Sequence, residues 1–186
     1  MLPASAALLL IQVQKAWDEA HWGPRSHPGA EAGIAQLLAA FREAGRPVVH
    51  IRHDAADPHS PFHPREPGHA FKPEAGPLEG EQVLGKSGHS AFSGTGLESL
   101  LRGLGVDRLV VAGFSAADAV SATVMAAADL GFKVLLMEDA IVAFEVEDTR
   151  GRVLSPEEVH RAVMAGLHGA FGAAMELPGL LPHIRA

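Results

Sequence analysis

The chain has 186 residues, 47% of them hydrophobic, a formal net charge of −7 and no cysteine. That length and apolar content suit one compact domain over residues 1–186, large enough to bury a substantial core. Fifteen Lys and Arg against 22 Asp and Glu supply no basic face, so no nucleic-acid partner is expected. The missing cysteines exclude disulfides, Zn-thiolate centres and a thiolate nucleophile.

The first predicted element is a buried strand over residues 7–13, interrupted by the polar Gln12 near its C-terminal end. This apolar run is too short to span a bilayer and no Lys or Arg precedes it, so a cytoplasmic protein with no membrane partner is expected. Gln14, Trp17 and Trp22 lead into a loop of turn formers ending at Gly29. A helix from about Ala30 places Ile34, Leu37, Leu38 and Phe41 on one face and stops at Gly45, and a second strand follows over 47–52.

From 53 to 94 regular structure thins out, and six of the 13 prolines and five of the 11 histidines fall there. So long a loop in a compact domain is expected to act as a lid over the sheet edge, with a short strand at 82–84. Thr95 and Glu98 match a capping box for a helix that buries Leu97, Leu100, Leu101 and Leu104. Residues 109–112 form a strand apolar throughout, Gly113 permits a sharp turn, and a helix runs from Ala117 to Leu130 with Gly131 past its end. A strand over 133–138, a helix opened by Ser155, Pro156 and Glu158 and running to about His168, and a short strand near 173–177 complete the pattern. Helix, glycine and strand succeed one another at Gly45, Gly105 and Gly131, the joint of a parallel βαβ series. The predicted fold is α/β, a three-layer αβα sandwich around a doubly wound, mainly parallel sheet. The strand, turn and helix around Gly113 are where such a sheet opens to a ligand.

Taken in order, Leu-Leu-Leu-Ile-Gln-Val-Gln (8–14), Trp-Gly-Pro-Arg (22–25), Val-Val-His-Ile-Arg-His-Asp (48–54), Gly-His-Ala-Phe-Lys-Pro-Glu (68–74), Gly-Lys (85–86) with Ser-Ala-Phe-Ser-Gly-Thr (90–95), and the central unit resemble the isochorismatase-like superfamily, or cysteine hydrolases. The resemblance spans nearly the whole chain. It implies hydrolysis of small amides, or of a vinyl ether, by an Asp at the end of the first strand, a Lys before Ser-Ala-Phe, and usually a Cys at the start of the central helix. Lys86 matches the lysine, but Gln12 stands at the Asp position and Ala119 at the Cys position. The family segment Gly-hydrophobic-small-Thr-Asp-x-Cys-Val has become Gly113-Phe-Ser-Ala-Ala-Asp-Ala-Val120, with its acidic residue moved to Asp118.

A methyl group cannot attack a carbonyl, and an amide has no usable proton-transfer pKa. The expectation is therefore a family hydrolase impaired at its chemistry; the alternative is a non-catalytic small-molecule-binding or oligomeric interaction protein. Ser115, Ser87 and Ser90 are hydroxyl candidates to replace the thiol, with His89 as a conceivable base, against a simpler role in turns. Gln14, Trp17, Phe114, Ser115 and Asp118 are the expected ligand-binding residues, Trp17 by its match to the family's pocket-lining aromatic. His59, His63, Asp54, Asp57 and His69 cluster in sequence, but Pro58, Pro61 and Pro64 break the helix that would pair the histidines, so no metal and no other cofactor is expected. The expected partners are a small-molecule ligand or substrate and further copies of the chain, as a dimer or tetramer.

Overall fold

The computed structural model describes residues 1–184. Strands β1 (Ala6–Ile11), β2 (Val48–His53), β3 (Gln82–Lys86), β4 (Arg108–Phe114) and β5 (Lys133–Val142) are followed by a two-strand hairpin, β6 (Val146–Glu147) with β7 (Val153–Leu154), and by β8 (Ala173–Met175). The helices are α1 (Ala30–Glu43), α2 (Leu97–Gly103), α3 (Ser121–Asp129), α4 (Pro156–Leu167) and α5 (Leu177–Ile184). Six strands form one sheet in the order β3-β2-β1-β4-β5-β8, with every neighbour parallel. The chain leaves β1 toward one edge and returns at β4 toward the other, so the topological switch lies between β1 and β4.

Strand β1 is buried on both faces because its side chains alternate between two apolar layers. Leu8 and Leu10 pack with Ile34, Leu37 and Phe41 of α1 and Leu180 of α5. Leu9 and Ile11 pack with Leu97 of α2, Val124 of α3 and Met164 of α4. This is the predicted three-layer α/β sandwich. Gly45, Gly105 and Gly131 each sit just past a helix end at positive φ, where a side chain would be strained.

Several elements differ from expectation. Gly113 does not end its strand: it lies inside β4 at φ 127, and a Cβ there would come 2.1 Å from the Ile11 carbonyl oxygen. The glycine is required by the close approach of β1 and β4, not by a turn. Thr95 and Glu98 do not form a capping box: α2 begins after Gly96, and the Thr95 hydroxyl donates to the Ala91 carbonyl while accepting from the Leu97 N–H at 3.3 Å. The capping box is instead at Ser155 and Glu158, which exchange both of its hydrogen bonds. The central helix opens with one π-type turn over Ala116–Val120 before α3, β5 runs four residues beyond the expected strand, and α5 was not expected. Between β2 and β3 the long segment holds only short helical turns, at Pro67–His69 and Pro73–Ala75.

Candidate active site

Four C-terminal ends converge at the sheet edge. β1 stops at Ile11, and Gln12 follows in the left-handed region at φ 50, with its N–H on the Ile51 carbonyl at 2.7 Å. A non-glycine residue held there stores strain, which concentrates at functional positions. His53 and Lys86 close β2 and β3 and are register partners. Phe114 closes β4 and passes the chain to Ser115 and the π-type turn.

Between these ends lies a cavity of about 540 Å³ lined by Gln12, Trp17, Trp22, His53, Phe62, Lys86, Ser87, Gly88, His89, Ser115, Ala117, Asp118, Phe144, Glu145 and Val146. Its apolar wall is an aromatic cluster in which Trp17 lies 5.0 Å from Phe62, 4.6 Å from Trp22 and 5.1 Å from Phe144, centroid to centroid. Its polar end holds Gln12, His53, Lys86, His89 and Asp118. The size and division between aromatic and polar walls suit a small organic ligand.

The polar end is short of partners. Gln12 is 4% exposed, and among the described residues its amide makes no hydrogen bond. The Trp17 Nε1 and His53 Nδ1 atoms are buried without partners as well. Lys86 is 2% exposed and donates to the Gly88 carbonyl oxygen at 2.7 Å. Burial pushes its ammonium pKa down to about 8, with the nearby Asp118 carboxylate opposing the shift. Burial, then the Lys86 charge, also lowers the pKa of His53. The His89 Nδ1 meets Asp118 Oδ1 in a direct contact at the cavity mouth.

The structure brings together Gln12, Trp17, Lys86, Ser115 and Asp118 of the expected site residues, and sets three others apart. Gln14 is a structural brace: its Oε1 accepts from the His53 N–H at 2.7 Å and its Nε2 donates to the carbonyls of His53 and His69. Phe114 lies behind the wall, wholly buried and stacked on Trp17 at 6.0 Å. Lys72, paired with Asp18 and Glu31, sits 5.6 Å from the Phe114 ring centroid. Ala119 is wholly buried in the turn, while its neighbours Ala117 and Asp118 face the cavity. Trp22, His53, Phe62, Phe144 and Glu145 were not anticipated. Phe62 and His53 lie in or beside the proline-rich segment, which gave no periodicity from which to read a facing. Asp54, of the acid and histidine group in that segment, is held by Arg52 and by His69 at 2.7 Å.

A family model described as the isochorismatase domain matches residues 6–175. The chain is 34% identical over 175 residues to an uncharacterized isochorismatase family protein of Bacillus subtilis, covering 94% of each. It is 30% identical over 152 residues to the maleamate amidohydrolase of Pseudomonas putida, covering 73% of this chain and 71% of that one. Among solved structures, an isochorismatase-family protein from Chromobacterium violaceum superposes with a TM-score of 0.96 at 46% identity, covering 99% of this chain and 95% of that one. With the fold, the converging strand ends and a domain match over most of its length, the chain belongs to the isochorismatase family.

Proposed function

We propose that the chain binds a small anionic or amide-bearing molecule in this cavity and that the family's thiol-dependent hydrolysis is lost from it. The observation that carries the reading is the pairing of the buried, unpartnered Trp17 Nε1 and His53 Nδ1 atoms, beside the cavity-lining amide of Gln12, with a methyl group at position 119. Burying polar groups without partners costs free energy that a ligand or ordered water offsets. A carboxylate or amide oxygen suits the Lys86 ammonium and the indole and amide N–H donors, and the aromatic wall suits an apolar body. The amidohydrolases among the relatives support an amide as the group recognised.

Titration calorimetry with a panel of small carboxylates and primary amides, run beside steady-state assays on the same amides, tests both halves. Saturable binding that is lost in Lys86→Ala and Gln12→Leu is expected, with turnover below the ~1 s⁻¹ at which ordinary enzymes begin. Absence of any binding overturns the first half. Turnover above ~1 s⁻¹ on the amide panel that vanishes in Lys86→Ala overturns the second.

A further inference from the structure

His89 and Asp118 are distant in sequence, yet the fold sets His89 Nδ1 directly on Asp118 Oδ1, and both side chains line the cavity that holds Lys86 and Gln12. Asp118 lies in the turn that opens the central helix, next to Ala119. Among the described residues His89 Nε2 makes no hydrogen bond. A carboxylate on Nδ1 fixes the proton of a neutral imidazole there and leaves the Nε2 lone pair free. That is the arrangement of a general base oriented by an acid. The His89 side chain is 80% exposed and that of Asp118 50%, and exposed ion pairs add little to stability. Their exposure does place the imidazole where bulk water reaches it.

We propose that His89 is a general base, with Asp118 as its positioning residue, that activates water for slow, cysteine-independent hydrolysis of small esters and amides held in this cavity. The proposal rests on the binding reading above. In the step, His89 Nε2 takes one proton from a water molecule as the water oxygen bonds to the substrate carbonyl carbon, and the C=O electron pair moves onto oxygen. The oxyanion faces the Lys86 ammonium and the donors of the cavity's polar end. The carbonyl re-forms, the bond to the alcohol or amine breaks, and the leaving group takes the proton from His89 Nε2–H. One water is consumed, and one acid and one alcohol or amine are released.

Release of nitrophenol from 4-nitrophenyl acetate and of nitroaniline from 4-nitroacetanilide provides the assay on the intact protein. His89→Gln is expected to lower kcat by about 10²-fold with KM unchanged, the range that general-base catalysis supplies. Asp118→Asn should lower kcat in the same sense, with partial recovery in Asp118→Glu, a pattern that a merely structural residue would not give. His183→Gln, which removes an exposed imidazole outside the cavity, should leave the rate unchanged. Turnover no faster than buffer, turnover retained in His89→Gln, or a loss confined to KM overturns the dyad. If calorimetric binding persists while His89-dependent turnover is absent, the dyad fails alone; if binding is absent too, the binding reading fails with it.

Discussion

Lys86 shows what the cavity demands of a single residue. Its folded pKa, about 8 against an ordinary 10.5, lies below the unfolded value, so the native state holds the proton less tightly than the unfolded chain does. The destabilisation is fully present below pH 8, shrinks as pH rises toward 10.5, and is absent above it. At about 1.4 kcal/mol per unit, the gap corresponds to about 3 kcal/mol. Lys86→Met, close in volume and uncharged, should therefore be more stable than the wild type at pH 7 by up to about 3 kcal/mol, less what the Gly88 hydrogen bond contributes. Urea denaturation at pH 7 and pH 10 measures the difference, which should fade at the higher pH. A variant less stable at pH 7 would mean that the Gly88 bond and Asp118 outweigh burial. At this scale the sequence drew attention to Gln12 as a polar residue interrupting an apolar run, and to Lys86 through the family resemblance alone. It failed at Gln14, because the left-handed turn at Gln12 breaks the two-residue alternation and sends the next side chains in directions that strand periodicity does not give.

Among the elements, β3 carries Lys86 at the sheet edge, and one charged cluster pins it. Glu81, just before the strand, takes two hydrogen bonds from Arg42 of α1, at 2.7 and 2.8 Å, and lies 2.9 Å from His50 of β2. Burial alone would raise the Glu81 carboxyl, but the bonds from Arg42, the Leu78 N–H and His50 outweigh it and bring it down to about 2. Burial, opposed by Glu81, lowers the pKa of His50. A folded carboxyl pKa below the unfolded value near 4.5 gives stability that is present above pH 4.5 and lost as pH falls toward 2. Glu81→Gln should cost on the order of 3 kcal/mol at pH 7, and it should flatten the loss of stability between pH 4.5 and 2 that the wild type shows. Acid titrations of the urea midpoint decide it, and parallel curves for the two proteins would remove Glu81 as the anchor. The cluster was not legible beforehand, since its members come from three elements and no local pattern joins them. Nor was α5, whose Pro178, Gly179 and Pro182 argue against a helix; packing of Leu177, Leu180 and Ile184 on the core overrides that propensity.

For the whole molecule, the glycine joints and apolar runs revealed a parallel series, and the ordered motifs of the resemblance include Gln12 and Lys86, which border the cavity. What they could not reveal was which side chains of the connecting segments turn inward, since the facing of Trp22, Phe62 and Phe144 is decided by the aromatic cluster they build together. The doubly wound topology brings position 12, after β1, and position 86, at the end of β3, to one cavity, and buries position 119 in the turn whose Ala117 and Asp118 line it, although the three are far apart in the chain. Thiol chemistry at position 119 should therefore depend on residues that only the complete fold assembles. In Ala119→Cys alone, the thiol gains help from the helix N-terminus and from Lys86, which with a pKa of about 8 is still mostly the ammonium at pH 7 but loses its charge just above it. Adding Gln12→Asp places a carboxylate at the same polar end, where it holds Lys86 as the ammonium and offers a proton acceptor to the thiol. Iodoacetamide should label the double variant faster than the single one at pH 7, and Lys86→Ala in the double background should remove the gain. Direct repulsion between carboxylate and thiolate acts the other way, so equal or slower labelling in the double variant would mean that this repulsion wins and that positions 12 and 119 no longer cooperate in this fold.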